Sequence, residues 1–378
     1  MQIVADDKIP FLKGALEPYA EMIYLPGKQI AREILNDADA LLIRTRTECN
    51  EKLLEGTKVQ FIGTATIGFD HIDTQYCNRR KIFWTNAPGC NSSSVQQYIA
   101  VALLKLASHN SFSLKDKTLG IIGVGNVGSK VEKFARTVGM NVLLNDPPRE
   151  RLEGKKNFQT LNTVLSESDI VTIHVPLNVG VEDFTYHLFD EEKFSRMKKE
   201  SWFFNTSRGE VVDTAALKKA LNSGKLSGAI TDVWENEPDI DLGLMNQVFI
   251  ATPHIAGYST DGKANGTAMV VNLLSKYFNL PTTNWYPEKV PPPAVPSILI
   301  DCKGKSEEEI LNEAVMHTYN IDEDNERLRN SPSDFEKLRG DYPLRREFTS
   351  YTVTLKSGTE NICQILENIG FKVNVLKI

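Results

Sequence analysis

Between Thr118 and Pro253 the chain carries six short apolar runs: "TLGIIG", "NVLLND", "DIVTIHV", "SWFFNTS", "GAITDVW" and "VFIATP". Each is too short for a buried helix and too uniformly apolar for a half-exposed strand, so each reads as a strand buried on both faces. The stretches between them have helical character. Strands of this kind joined by helices form a parallel sheet, here of the doubly wound type. Such sheets bind ligands outside the carboxyl ends of their strands, so the residues just after each run are where chemistry is expected.

A shorter series precedes these runs. "IVADD", "ADALLIRT", "VQFIGTAT" and "KIFWTNAP" read as buried strands with helical segments between them. In "NSSSVQQYIAVALLKLASH", Val95, Tyr98, Ile99, Ala102, Leu103 and Leu106 form a stripe of helical period. Ser93 and Gln96 supply a capping-box start. This helix is expected to lead out of the first domain, and "KANGTAMVVNLLSKYF" to return to it. The proline-rich "NWYPEKVPPPAVP" marks a stiff linker. Beyond it, "SILID", "FTSYTVTL" and "FKVNVLKI" alternate with charged helices, a small C-terminal α+β domain. The expected organisation is a discontinuous domain (1–95 and 258–280), a dinucleotide-binding domain (96–257) and a C-terminal domain (281–378).

Composition removes several classes of function. A net charge of −6 argues against a nucleic-acid binder, which needs a basic field. No apolar stretch is long enough to cross a bilayer. The opening "MQIVADDKIP" does not read as a signal peptide. The five cysteines are scattered and form no CxxC pair, so they read as free thiols in a reducing compartment, with no metal site. A cytoplasmic location is expected.

The run "TLGIIGVGNVGSKVEKFARTVGMNVLLND" contains Gly123, Gly125 and Gly128 in GxGxxG spacing. That spacing alone says little, but its surroundings are informative. A strand precedes it, and Val127, Val131, Phe134, Ala135 and Val138 make a helical stripe after it. Gly123 permits the tight turn, Gly125 lets a pyrophosphate approach the backbone, and Gly128 allows helix and strand to pack closely. The helix N-terminus presents free N–H groups and partial positive charge to the anion. Asp146 ends the second strand at the distance where a carboxylate accepts from ribose hydroxyls and repels a 2′-phosphate. The cofactor read from this is NAD, with Arg149 nearby weakening the preference slightly.

Three strand ends of the same sheet carry charged or titratable residues. Arg208 follows "FFNTS", Asp232 and Glu237 lie in "ITDVWENEP", and His254 follows "FIATP". Oxidising an alcohol carbon by hydride transfer needs a base that titrates near neutral pH. It needs a carboxylate to orient that base, and a cation to polarise the developing carbonyl and hold a substrate carboxylate. Arg208, Glu237 and His254 are those residue types, with Asp232 a rival partner for the histidine. In the first domain "LLIRTRTE" puts Arg44, Thr45 and Arg46 at a strand end, and "GTAT" puts Thr64 and Thr66 at another. Thr45 and Thr66, with Tyr258 four residues after His254, are candidate substrate contacts.

"GVGNVG…DPP", "NTSRGEVVDTAAL", "DVWENEP" and "TPHIAGYS" together closely resemble the D-2-hydroxyacid dehydrogenase family. The resemblance spans nearly all of the first 280 residues. It implies a Rossmann domain paired with a discontinuous flavodoxin-like substrate domain, and catalytic roles for Arg208, Glu237 and His254. It also places Asn126, Val127, Val175, Asn205, Thr206, Ser207, Arg208, Asp232 and Gly257 around the cofactor. "APGCNSSSVQQY", "PHIAGYSTDGKANGT" and the tail "DFEKLRGDYPLRREFTSYTV" resemble members acting on a small phosphorylated hydroxy acid, whose tail is a dimerisation domain. A homodimer follows from that, in which Arg345 and Arg346 are expected to reach a neighbouring site's phosphate. Two alternatives stay open: a D-3-phosphoglycerate dehydrogenase with a regulatory tail, and an NAD-sensing interaction protein on the same fold.

Overall fold

The computed structural model describes residues 1–180, 182–282 and 284–376, and divides into two compact units. The first comprises Met1–Asn91 and Ser259–Pro291. Its strands are β1 (Gln2–Asp6), β2 (Glu21–Leu25), β3 (Ala40–Ile43), β4 (Phe61–Thr64) and β5 (Phe83–Thr85), all parallel in the order β2-β1-β3-β4-β5. This is the flavodoxin-like order. Of the three inner strands, β3 and β4 are buried along their whole length and β1 along all but its first residue. β2 is absent from the sequence reading. It is an edge strand with no fully buried residue, although its "MIYL" is as apolar as the inner runs.

The second unit comprises Ser92–Tyr258 and Pro292–Ile378. Its large sheet holds β6 (Thr118–Ile122), β7 (Asn141–Asn145), β8 (Ile170–Ile173), β9 (Ser201–Asn205), β10 (Leu226–Thr231) and β11 (Ile250–Ala251). The order is β11-β10-β9-β8-β6-β7, again all parallel. The order reverses at β6, which sets the glycine turn after β6 at the switch point where such sheets bind ligands. The helix Ser92–Asn110 covers this sheet with fourteen buried residues. Ser93 lies inside its first turn, where its hydroxyl accepts from Lys130.

The C-terminal segment has a parallel sheet of its own, β12 (Ser297–Asp301), β13 (Thr352–Lys356) and β14 (Lys372–Leu376), in that order. The sequence reading makes 281–378 a separate domain. In the structure the segment from Pro292 onward forms one compact unit with the large sheet. Ile300, Val315, Val353, Leu355 and Leu366 share a core with Leu103, Leu106, Leu119 and Phe134. Polar contacts add to it. Gln97 Nε2 donates to Thr318 Oγ1 (3.0 Å) and to the Arg346 carbonyl (2.9 Å). The Arg329 guanidinium donates to the carbonyls of Met245 and Val248, both at 2.8 Å. The outer amide of Ala251, on edge strand β11, donates to Asn325 Oδ1 at 2.9 Å, so a tail side chain satisfies the sheet edge.

Because the core is shared, Leu366→Ala is expected to cost about 2–5 kcal/mol, the usual range for a buried leucine. Tail structure, followed by circular dichroism, and NADH binding are expected to be lost at the same lowered temperature. A tail that melts while NADH binding persists would contradict the shared core.

Candidate active site

The glycine turn is built by close approach. Gly123 has φ +84°, a conformation that costs glycine nothing, and a side chain there would strike the His174 carbonyl and Val175. A Cβ at Gly128 would stand 2.1 Å from the Gly123 carbonyl oxygen, so the helix Asn126–Thr137 can meet the turn only without one. A Cβ at Gly125 meets nothing within 4 Å, so no neighbour in the protein requires glycine there. What remains to require it is a group approaching from outside, in keeping with a pyrophosphate on the backbone. Gly125 caps the helix without any side-chain bond, and Asn126 and Val127 open its first turn.

Asp146 follows β7 and is largely buried. One oxygen accepts from the Val124 amide (2.7 Å) and the other from the Arg149 amide (3.0 Å), so it ties the glycine turn to the next helix. A carboxylate has further lone pairs for ribose hydroxyls. Arg149 is engaged elsewhere: it forks onto Glu153 (2.6 and 2.8 Å) and donates to the Val124 carbonyl (2.6 Å). This pairing offsets the charge that would welcome a 2′-phosphate.

The ends of β9, β10 and β11 bring the charged residues together. Asn205, the last residue of β9, accepts from Ser207 N (3.0 Å) and Oγ (2.9 Å) and donates to the Arg208 carbonyl (3.0 Å). The side chains of Asn205 and Ser207 therefore shape the loop rather than face outward. Arg208 is half-buried and donates to the Ser207 carbonyl at 2.8 Å. A Cβ at Gly209 would lie 1.9 Å from the Trp234 carbonyl carbon, so this glycine lets the arginine loop press on the loop that carries Glu237. Thr206 Oγ1 lies 3.3 Å from His174 Nδ1, and Thr172 Oγ1 lies 3.1 Å from its Nε2. Burial pushes the His174 ring down to about 3, which keeps it neutral at any working pH.

His254 Nδ1 is 2.8 Å from Glu237 Oε2. Glu237 also accepts from the Trp234 amide (3.0 Å), and the Arg339 guanidinium lies 3.9 Å away. Burial pushes the Glu237 carboxyl up, but the His254 charge and hydrogen bond, the Trp234 amide and Arg339 together outweigh it and hold it below the ordinary range. His254 itself has φ +55°, uncommon for a residue with a side chain. Its amide donates to the Asp232 carbonyl at 2.6 Å.

Asp232 has a different partner set from the one the sequence suggests. Its carboxylate accepts from Thr252 Oγ1 (2.6 Å) and from the amides of Ile255 (2.8 Å) and Ala256 (2.9 Å). It holds the turn after His254 rather than the imidazole, and burial leaves its carboxyl above the ordinary range. Gly257 and Tyr258 follow directly, with the Tyr258 ring edge-on to Tyr342 and under the Arg339 guanidinium. In the first unit Thr45 is exposed just beyond β3. Thr66, beyond β4, bonds Thr64 Oγ1 (2.7 Å) and the Gly68 carbonyl (3.0 Å).

Arg345 departs from the sequence expectation. Its guanidinium is buried in its own chain against Ser94 and the carbonyls of Ile255 and Ala256, so it is not directed to another subunit's phosphate. Neither this placement nor that of Arg339 beside Glu237 was visible in the sequence, where both sit in a charged stretch without apolar period. None of the five cysteines forms a disulfide. Among the described residues no cluster of His, Cys, Asp or Glu is placed to hold a metal, and no helix is long and apolar enough to cross a membrane.

Known proteins match this arrangement. The family described as D-isomer specific 2-hydroxyacid dehydrogenase, NAD binding domain, matches residues 93–256, and a domain of unknown function (DUF3410) matches 290–370. The solved D-lactate dehydrogenase of Aquifex aeolicus, complexed with NAD and lactic acid, is 28% identical with a TM-score of 0.62, covering 74% of this chain and 96% of that one. The NAD-bound 3-phosphoglycerate dehydrogenase of Entamoeba histolytica is 25% identical with a TM-score of 0.62, covering 77% and 99%. Fold and family are those of an NAD-dependent 2-hydroxyacid dehydrogenase. Erythronate-4-phosphate dehydrogenase of Bacteroides thetaiotaomicron is 52% identical over 93% of this chain and 99% of its own length; that of Proteus mirabilis is 40% identical over 98% and 99%. The chain belongs to the erythronate-4-phosphate dehydrogenase family.

Two outcomes follow from this geometry. Gly128→Ala is expected to lose about 1–3 kcal/mol of stability by overpacking, whereas Gly125→Ala keeps its stability and loses NADH affinity. Thermal melts with NADH titration separate the two, and equal melting losses would remove the distinction. The second concerns pH. Below the ordinary histidine value the unfolded chain binds a proton that His174 refuses until about pH 3. Stability is therefore full above about pH 6.5 and falls toward acid by up to about 1.4 kcal/mol per unit. His174→Gln is expected to flatten the stability curve between about pH 6.5 and 4, measured by urea unfolding. Parallel curves for the two proteins would exclude a buried neutral His174.

Proposed function

We propose that this protein oxidises 4-phospho-D-erythronate at C2 with NAD. The products are 3-hydroxy-2-oxo-4-phosphooxybutanoate, NADH and a proton, a step of pyridoxine 5′-phosphate (vitamin B6) biosynthesis. The observation that carries the chemistry is the His254–Glu237 pair at 2.8 Å, at strand ends of the sheet that also bears the glycine turn. The choice of acid is supported by relatives of that name that match this chain over nearly its full length, tail included.

Glu237 engages Nδ1 of His254, which leaves Nε2 to take the proton of the C2 hydroxyl. The carboxylate fixes the tautomer and stabilises the imidazolium that forms. Arg208 holds the substrate carboxylate and polarises the oxygen that becomes a carbonyl. NAD, when bound, would supply the acceptor for the C2 hydride. The residues assigned to hold it are Gly123, Gly125, Asn126, Val127, Gly128, Asp146, Val175, Asn205, Thr206, Ser207, Arg208, Asp232 and Gly257. Gly257, and Thr206 with only a 3.3 Å bond to His174, are better suited to direct contact than Asn205, Ser207 and Asp232, whose polar atoms make several shorter bonds to the protein. Thr45, Thr66 and Tyr258 are assigned to the substrate, Thr45 and Thr66 on their positions beyond β3 and β4. A cytoplasmic homodimer through the C-terminal segment completes the reading. Leu299, Val375 and Leu376 on its sheet are 62%, 46% and 47% exposed, apolar surface that a second copy would cover.

The test compares kcat/KM for 4-phosphoerythronate, erythronate and 3-phosphoglycerate under identical conditions. The phosphorylated four-carbon acid is expected to exceed erythronate by about 2–4 kcal/mol, the scale of a charge-assisted pair. Equal values for those two would remove the phosphate from recognition, and a preference for 3-phosphoglycerate would reassign the substrate to three carbons.

A further inference from the structure

We infer that Arg345, from the C-terminal segment, is a positioning residue for the catalytic histidine: it clamps the turn after His254 from the side opposite Asp232. The inference rests on the assignment of His254 as the base. Three successive peptide units after His254 are held, and the middle one, between Ile255 and Ala256, is held at both its N–H and its C=O. The N–H groups of Ile255 and Ala256 donate to the Asp232 carboxylate at 2.8 and 2.9 Å. The C=O groups of Ile255 and Ala256 accept from Arg345 Nη2, at 3.1 Å for Ile255. The same nitrogen donates to Ser94 Oγ, which itself donates to the Ala256 carbonyl at 2.8 Å.

Arg345 is only 4% exposed. A guanidinium taken out of water to that extent is retained only where acceptors and counter-charge surround it. Its remaining neighbours fit that need. Nη1 donates to the Tyr342 hydroxyl at 3.3 Å, and the guanidinium stacks 4.5 Å from the Tyr319 ring centroid. Both tyrosines donate to Asp324, at 2.6 and 2.8 Å. The cation therefore cannot move without breaking a network that includes the catalytic turn.

The turn has reason to need such a clamp. His254 sits at φ +55°, a conformation that persists only where the surroundings fix it. A small rotation of the next peptide would swing the imidazole away from Glu237, and misplacement of a reacting group by about 1 Å can cost on the order of a hundredfold in rate.

The competing account is that Arg345 merely fastens the tail. Arg329 provides the comparison, because it anchors the same segment to Met245 and Val248, away from the turn. Arg345→Lys keeps the charge but not the planar fork that serves several acceptors. It is expected to lower kcat by about tenfold or more while the NADH dissociation constant stays within about threefold. Arg329→Met is expected to lower the melting temperature while leaving kcat within about twofold. Tyr342→Phe, which keeps the ring and removes one partner of the guanidinium, is expected to show the kcat loss in weaker form and serves if the lysine variant does not fold.

A readout independent of the substrate accompanies these. In spectra of 13C-histidine-labelled protein, with His254 assigned through His254→Gln, Arg345→Lys or Tyr342→Phe should move the His254 ring signals and Arg329→Met should not. Unmoved His254 signals, or a kcat loss that Arg329→Met reproduces at equal loss of melting temperature, would overturn the clamp. Failure of wild-type protein to oxidise any of the acids would instead count against the proposed function, with the spectra still deciding the clamp.

Discussion

Asp232 sits at the end of β10 with its carboxylate turned back into the protein, where it gathers one hydroxyl and two backbone amides from the chain that follows β11. Burying a carboxylate is costly unless its oxygens are filled, and here they are filled by the turn that carries His254. The cost of the buried charge and the shape of the turn are thus one fact. Release of the amides would leave a charge in the interior without partners, so the turn is held as firmly as the charge is buried. The pairing of His254 with Glu237, and the course of the chain through Gly257 to Tyr258, both depend on that turn.

Parallel strands deliver their carboxyl ends to one edge, and this fold uses the edge repeatedly. The Arg208 loop, the Glu237 loop and the His254 turn leave three adjacent strands of one sheet. Their separations are set by strand spacing, and their fine adjustment by contacts such as Gly209 against Trp234. The nucleotide turn leaves β6 on the same edge, at the point where the strand order reverses. The candidate site is thus defined by which residue follows each strand.

That is also why so much could be read from the sequence. Gly123, Gly125, Gly128, Asp146, Arg208, Glu237 and His254 each stand a few residues beyond a dense apolar run, where spacing reports position directly. The edge strand β2 was missed although "MIYL" is an unbroken apolar run, so apolar density alone did not decide which runs were read as strands. Asp232 was legible as a strand-end carboxylate, but its partners were not, since they depend on a turn whose conformation no local pattern fixes. The tail's place in the nucleotide-binding unit was hidden for a related reason. Its helix Ile321–Asn330 is mostly charged, and what attaches it includes single polar atoms such as Asn325 Oδ1 and the Arg329 guanidinium.

The order of the chain gives the covered sheet edge a further meaning. β11 is complete by Ala251, but the side chain that satisfies its outer amide belongs to Asn325, and the core around Phe134 is filled by residues as late as Phe371. On the ribosome the nucleotide-binding sheet therefore emerges with one margin bare and part of its interior open to water. It stays so until the segment from Asn325 to Phe371 has been made. Domains made early usually fold as they appear. This one must wait for the segment from Asn325 to Phe371, so a chain released before it would present a bare strand edge to its neighbours rather than a smaller working enzyme.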